Sequence, residues 1–360
     1  MKILVLNYEF PPLGGGGSYV SHQIAEGLAA KGHQVDVVTM AFKGLPEKEV
    51  LGNMTIYRVK CWRTKKEMCH PWEQVTYLVS AYRFISQKLD VASYDVCHAN
   101  FIIPTGWLAL RLKNRYGLPY LLSAHGSDVI GYNPRFKALY PLLRGQWRKI
   151  VEGAPVLTCA SEFLAGRVRE TLPEANIAII HHSIIGGFAP LPKEKSMLTV
   201  QRLFNNKRVN MIVGALNSID MKGWKLYVVG DGPEMENLKN QAAGNPGIVF
   251  TGWIDHDDPR LAELYGKAAA FVFASAFENM PMTVIEALLS GCYPLLSDIT
   301  GNRDIVKEDE YFFSDEAELA AKLKVVLERD VSKPFHYDLE SFSLDAAVSH
   351  FEKLLVECKR

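Results

Sequence analysis

The sequence predicts an α/β protein made of two Rossmann-like domains, each a parallel sheet flanked by helices. Three observations carry this expectation. Short β-branched runs alternate with helical patterns through both halves of the chain, as βαβ units require. The alternation restarts after a stretch at 186–195 in which glycines, prolines and charges cluster without periodicity. Finally, 360 residues with 48% hydrophobic content can bury a core larger than one domain of ordinary size.

In the first half the expected strands are Ile3–Leu6, Gln34–Thr39, Met54–Val59, Val96–Ala99, Tyr120–Ala124 and Val156–Ala160. Between the first two, Val20, Ile24 and Leu28 recur at helical spacing over Ser18–Ala30, and Lys31-Gly32 closes that helix. In the second half the pattern returns as Leu198–Val200, Lys225–Val229, Ile248–Thr251, Ala270–Ala274 and Tyr293–Ser297, with a helix expected over Thr283–Ser290. The expected domains are therefore 1–188 and 189–342. No short repeat or low-complexity tract interrupts them.

The formal net charge is zero, so bulk electrostatics do not point to nucleic acid as a partner. The halves differ: residues 1–190 carry 21 basic and 14 acidic side chains, a net +7, which leaves −7 on the remainder. A basic first half suits an anionic membrane surface or acceptor, and opposite charge on two domains equally suits their mutual packing. The six cysteines show no CxxC pair or other metal-ligand spacing and read as reduced, mostly buried thiols. The chain enters its first strand at Lys2 and reaches Glu9 after too few apolar residues for a signal peptide, and the longest apolar run, Ala268–Phe277, is about half a membrane span. The expected location is the cytoplasm, either free or peripheral on the inner face of a membrane.

Four motifs carry chemistry. Pro11-Pro-Leu-Gly-Gly-Gly-Gly-Ser18 places glycines between the first strand and first helix, where backbone amides and the helix dipole can meet a phosphate; a flexible loop is the plainer reading. A nicotinamide-type site fits less well, because the glycines do not follow GxGxxG and no acidic residue ends the second strand. Ser123-Ala-His-Gly-Ser-Asp128 follows a strand at its C-terminal end, where α/β sheets place ligands, so His125 can reach a bound sugar or simply cap the strand. His98 lies at another strand end, with a functional or a structural role open. Arg202 and Lys207, just after the first strand of the second half, suit a diphosphate, one by its planar fork and one as a point charge, although solvated surface charge is the commoner origin of such a pair. Glu278-Asn-Met-Pro-Met-Thr-Val-Ile-Glu286 sets one carboxylate in a loop and a second within a helix, with the amides of Met282 and Thr283 free at the helix start. Carboxylates accept hydrogen bonds from sugar hydroxyls and free amides bind phosphate, so one segment can hold both ends of a nucleotide sugar.

Taken with Val229-Gly-Asp-Gly-Pro233, Thr251-Gly-Trp-Ile254 and Ser297-Asp-Ile-Thr-Gly-Asn-Arg-Asp-Ile-Val306, these motifs occur in the order and spacing of glycosyltransferase family 4. The chain resembles that family over almost its whole length, most strongly from Thr199 to Val306. The resemblance implies the GT-B fold, two Rossmann-like domains facing across a cleft, with a C-terminal helix within 343–360 returning to pack on the first domain. It implies a retaining enzyme in which Arg202 and Lys207 neutralise the donor diphosphate, Glu286 holds the ribose hydroxyls and Glu278 contacts the transferred sugar. Gly15, Gly16 and Gly17 would close over the diphosphate, His125 would sit beside the anomeric carbon, and Trp253 and Ile254 would lie near the base. Two departures stand out: Asn279 where a glycine is common, and Ile180-His-His-Ser-Ile-Ile185 in place of a proline-asparagine-glycine turn.

Asp255-His-Asp-Asp258 has the Asp-x-Asp spacing of a metal motif but reads better as a solvated loop start, the metal reading staying open beside it; metal-independent transfer without a cofactor is expected. The expected substrates are a UDP- or GDP-sugar and a saccharide or lipid-linked saccharide acceptor, as in cell-surface polysaccharide or glycolipid synthesis. The basic and aromatic stretch 135–149 suits a membrane surface and equally a solvated helix with a buried apolar face. A nucleotide-sugar epimerase of the same fold and a non-catalytic donor-binding subunit are the competing readings.

Overall fold

A computed structural model describes residues 1–66, 69–132, 140–181, 188–256 and 258–359. The chain divides into two compact units, residues 1–183 with 341–360, and residues 184–340.

The first unit is an eight-stranded sheet. Its elements in chain order are β1 (Lys2–Leu6), α1 (Gly16–Ala30), β2 (Gln34–Met40), β3 (Lys48–Leu51), β4 (Met54–Val59), α2 (Pro71–Lys88), β5 (Val96–Asn100), α3 (Trp107–Tyr116), β6 (Tyr120–Ser123), α4 (Tyr140–Gly153), β7 (Leu157–Cys159), α5 (Glu162–Thr171) and β8 (Ile177–Ile179). The strand order is β3-β4-β2-β1-β5-β6-β7-β8, parallel throughout except for the antiparallel β3–β4 pair. Helices cover both faces, which is why Ile3, Leu4, Val5 and Leu6 form an unbroken apolar run and are all fully buried. The edge strands β3 and β8 were not foreseen. Lys-Glu-Val-Leu at β3 is short and mostly exposed, and backbone pairing with β4 rather than apolar patterning makes it a strand.

The second unit is a six-stranded parallel sheet of order β11-β10-β9-β12-β13-β14. It comprises β9 (Glu194–Val200), α6 (Val209–Asn217), β10 (Lys225–Val229), α7 (Met235–Gln241), β11 (Ile248–Gly252), α8 (Pro259–Lys267), β12 (Ala268–Phe273), α9 (Met282–Leu289), β13 (Tyr293–Ser297), α10 (Thr300–Arg303), β14 (Phe312–Phe313) and α11 (Glu316–Leu327). β9 starts four residues ahead of the apolar run at Leu198, because Glu194 pairs with Ala268 of β12 before its side chains enter the core.

The last helix, α12 (Leu344–Lys359), packs in the first unit. Ala347, Val348, Phe351 and Leu355 share one buried cluster with Ile24, Ala25 and Leu28 of α1. A Cβ on Gly27 would lie 2.3 Å from Val348 Cγ2, so only glycine lets the two helices approach this closely.

Of the stretch 135–149, residues 135–139 lie outside the described residues. The remainder belongs to α4, where Trp147 is buried and its Nε1 donates to the Asp128 carbonyl at 3.0 Å. The aromatic face of α4 therefore points into the protein, as a solvated helix with a buried apolar side requires. Among the described residues no helix is long and apolar enough to cross a membrane.

Candidate functional site

In the first unit, the C-terminal ends of β5 and β6 bring His125, Asn100, Phe101 and Asp128 together. The His125 Nε2 lies 3.1 Å from Asn100 Oδ1, and its ring centroid is 4.5 Å from that of Phe101. Asp128 is the anchor: its two carboxylate oxygens accept from the backbone amides of Ile102 at 2.7 Å and His125 at 3.0 Å, tying both strand ends to one side chain. Burial pushes the Asp128 carboxyl up to about 6, while those backbone donors favour the charged form. Phe101 adopts φ +78°, a costly conformation for a non-glycine residue, and this anchoring sustains it.

The glycine run leads directly to this place. Gly15 precedes α1 without a side-chain cap, no acidic residue occupies the first turn, and the leading amides of a helix have no intrahelical partner. A Cβ on Gly17 would sit 3.0 Å from His125 Nδ1 and 3.3 Å from Phe101 Cζ, so the helix start rests against the histidine. Gly16 opens α1, and a Cβ on Gly15 would meet open space. His98 does not join this group. It is buried, bonded to Ser123 Oγ at 2.8 Å and packed against Phe351, and burial lowers its pKa to about 4; its role is structural.

In the second unit, the loops after β9, β10 and β12 interlock. The Ala276 amide donates to the Asn206 carbonyl at 2.8 Å, and Leu203 exchanges backbone bonds with Asp231 and Glu234. A Cβ on Gly230 or Gly232 would collide with the carbonyls of Gln201 or Leu203, which explains the glycines of Val229-Gly-Asp-Gly-Pro233. A Cβ on Gly301 would likewise meet the Glu278 carbonyl at 2.4 Å. Within this frame Lys207 and Glu278, 71 residues apart, form a partly buried ion pair. Arg202 is exposed on the same β9–α6 loop, its guanidinium 5.5 Å from the Phe204 ring.

α9 begins at Met282 after Pro281, with neither a side-chain cap nor an acidic residue in its first turn, and Met282 and Thr283 are partly exposed there. One turn on, Glu286 is buried between two partners. Tyr265 Oη donates to Oε2 at 3.0 Å and His256 Nε2 lies 3.2 Å from Oε1. Burial, reinforced by the Glu286 carboxylate, holds the Tyr265 phenol well above its usual range, so it stays a donor. Trp253 is 61% exposed and bonded to Asp255 at 2.8 Å, while Ile254 is buried. Asp257 lies outside the described residues, and Asp258 caps α8 and pairs with Arg260. Among the described residues no three His, Cys, Asp or Glu side chains converge as a metal site would require.

The structure thus brings Lys207 to Glu278 and Gly17 to His125. Sequence reading missed Tyr265 and His256 as the partners of Glu286, and Asp128 and Phe101 as the setting of His125. Tyr265 carries no readable signal, because it sits in an ordinary amphipathic helix. Asp128 stands three residues after His125, a spacing suited to a local side-chain-to-backbone turn.

Residues 14–184 match the model of Glycosyltransferase Family 4, and residues 194–329 match that of Glycosyl transferases group 1. An uncharacterised glycosyltransferase of Methanocaldococcus jannaschii is 26% identical over 340 residues, covering 86% of this chain and 83% of the relative. The lipopolysaccharide 1,6-galactosyltransferase of Escherichia coli is 29% identical over 177 residues, 43% of this chain and 48% of that enzyme. Among solved structures, Anabaena HepE in complex with UDP-glucose superposes with TM-score 0.64 at 14% identity, over 99% of this chain and 98% of that one. Two parallel α/β units, motif-bearing loops at the C-terminal ends of their strands and family matches across both make one conclusion: the chain belongs to glycosyltransferase family 4, with its group 1 second domain and the GT-B fold.

Proposed function

We propose that this glycosyltransferase moves a hexose-type sugar, with retention and without a metal, from a nucleotide-sugar donor to a saccharide or lipid-linked saccharide. The observation that carries the reading is the Lys207–Glu278 pair beside the uncapped start of α9. Breaking a glycosyl–phosphate bond builds negative charge on the leaving diphosphate, and cations with helix amides aimed at it stabilise the transition state more than the ground state. With Arg202, Lys207 supplies that charge when a donor arrives, and Glu278 is released to accept bonds from sugar hydroxyls. Tyr265 and His256 each hold one oxygen of Glu286, and displacement of the exposed His256 frees Oε1 for the ribose. The family resemblance assigns His125 to the transferred sugar, Gly15, Gly16 and Gly17 to the diphosphate, and Trp253 and Ile254 to the base.

The UDP-glucose bound to the Anabaena protein supports a nucleotide-sugar donor, UDP- or GDP-linked, and the Escherichia coli relative supports an acceptor of the lipopolysaccharide kind. Six free thiols suit a reducing compartment such as the cytoplasm.

The test is nucleotide release from UDP-, GDP- and ADP-sugars in the presence of EDTA. One donor should be turned over slowly, and Lys207→Ala and Glu286→Ala should each lose about 100-fold or more, the scale of removing one preorganised electrostatic group. Loss of release on adding EDTA would remove metal independence, and an inverted anomer in the product would remove retention. Interconversion of the donor without release would turn the reading to an epimerase.

A further inference from the structure

The segment that enters the second unit is threaded past the ends of two helices. Phe188 and the residues after it have no regular structure until β9 begins at Glu194, yet they are fixed at several points. The Leu191 amide donates at 3.1 Å to the carbonyl of Gly266, near the end of α8. A Cβ on Gly266 would lie 2.9 Å from the Ala189 carbonyl oxygen, so the segment rests directly on that helix. At the end of α9, the Ser290 hydroxyl stands 2.9 Å from the Phe188 carbonyl and 2.7 Å from that of Glu286. The Lys193 ammonium donates to the carbonyls of Gly266 at 2.8 Å and Ser290 at 2.5 Å, one cation set on two helix C-termini.

This anchorage places the Phe188 side chain. Its ring stacks on that of Tyr265 with centroids 4.7 Å apart and planes at 16°, and Tyr265 continues to Phe271 at 6.1 Å and 18°, so three rings form one near-parallel series. Tyr265 is fully buried, and its hydroxyl is the donor to Glu286 Oε2 at 3.0 Å. His256, beside the other Glu286 oxygen, also lies against Phe188, with ring centroids 5.3 Å apart. Phe188 therefore touches both groups that hold the Glu286 carboxylate. An apolar ring makes no strong hydrogen bond, so its influence on Glu286 passes through those two neighbours.

We propose that Phe188 is a positioning residue for nucleotide binding: it holds Tyr265 against Glu286 and thereby sets the carboxylate to receive the ribose hydroxyls. The proposal rests on the reading that Glu286 holds the ribose. A phenol oxygen lies on its ring axis, so a neighbour that fixes the ring fixes the oxygen. A carboxylate set in place beforehand loses less freedom when hydroxyls bind it, which strengthens recognition of the ribose.

The experiment is calorimetric binding of UDP and of GDP to the full chain, each compared with its 2′,3′-dideoxy form. Wild type should bind one of the two nucleotides about tenfold or more tightly than its dideoxy form, because the hydroxyls bonded to a carboxylate are lost. Phe188→Ala should weaken the intact nucleotide about fivefold and leave the dideoxy form within about twofold of wild type. Tyr265→Phe should give the same pattern, and adding Phe188→Ala to it should cost nothing more. Phe188→Tyr, which keeps a ring on the stack, should bind as wild type does. Phe188→Leu, which keeps apolar volume without the flat face, carries the expectation of Phe188→Ala where the smaller variant does not fold. Equal weakening of both nucleotide forms would make the ring a packing element and overturn the proposal. Unchanged binding in Phe188→Ala and Phe188→Leu, or losses that add to those of Tyr265→Phe, would do the same. Should wild type bind the intact and dideoxy forms equally, or bind neither nucleotide, the ribose reading of Glu286 falls and the proposal with it.

Discussion

At the scale of single residues, two buried groups of the first unit should oppose each other in the pH dependence of stability. Burial lowers His98 to about 4 from 6.5, so between those values the unfolded chain binds a proton that the folded chain refuses; stability from this site falls as pH falls. Asp128 is raised to about 6 from 3.8, so over nearly the same window the folded chain keeps a proton that the unfolded chain releases, and its contribution is lost as pH rises through 6. Each slope is limited to about 1.4 kcal/mol per pH unit. In His98→Gln, stability should decline from pH ~4 to ~6, and in Asp128→Asn it should climb, while wild type stays flatter than either. Urea midpoints across this range check the signs, and parallel profiles in the two variants would refute the pairing.

At the scale of elements, glycines decide how closely loops approach. Gly230 combines φ +134° with a Cβ position 1.9 Å from the Gln201 carbonyl oxygen, a backbone atom that cannot yield. Gly230→Ala should therefore destabilise the second unit by about 2 kcal/mol or more, read as a lower melting temperature. Gly17 is different: it lies within α1, where alanine is a better helix former, and its neighbour is a side chain. Gly17→Ala should leave the melting temperature within a few degrees of wild type and reduce turnover about tenfold or more, because displacement of His125 absorbs the clash. An equal loss of stability and activity would place His125 outside the reaction. These glycines were visible in the sequence as motif letters, but the atoms they make room for were not.

At the scale of the whole molecule, α12 is separated by more than 150 residues from the rest of the first unit and still supplies part of its core. Phe351 is nearly buried, with its ring 5.2 Å from that of His98. Phe351→Ala should cost about 3–5 kcal/mol, the range for truncating a buried aromatic. Proteolysis should show the loss as earlier cleavage within residues 1–183, whereas cleavage confined to 184–340 would contradict the packing.

The sequence by itself determined the doubly wound architecture, because a parallel strand covered by helices on both faces must be a largely apolar run, and eleven of the fourteen strands among the described residues could be read that way. It also marked Arg202, Lys207, Glu278 and Glu286, since charges at strand ends and helix starts are few and chemically specific. Other features depended on distant neighbours. β3 is a strand only because β4 lies beside it, and Glu286 has Tyr265 and His256, 21 and 30 residues earlier, as partners. The clearest case is the contrast of α2 and α4. Both carry tryptophan and cations, and composition alone does not say which tryptophan is buried. Trp147 is buried and Trp72 is not, because the side of a helix that meets the sheet is settled by packing, which composition does not encode.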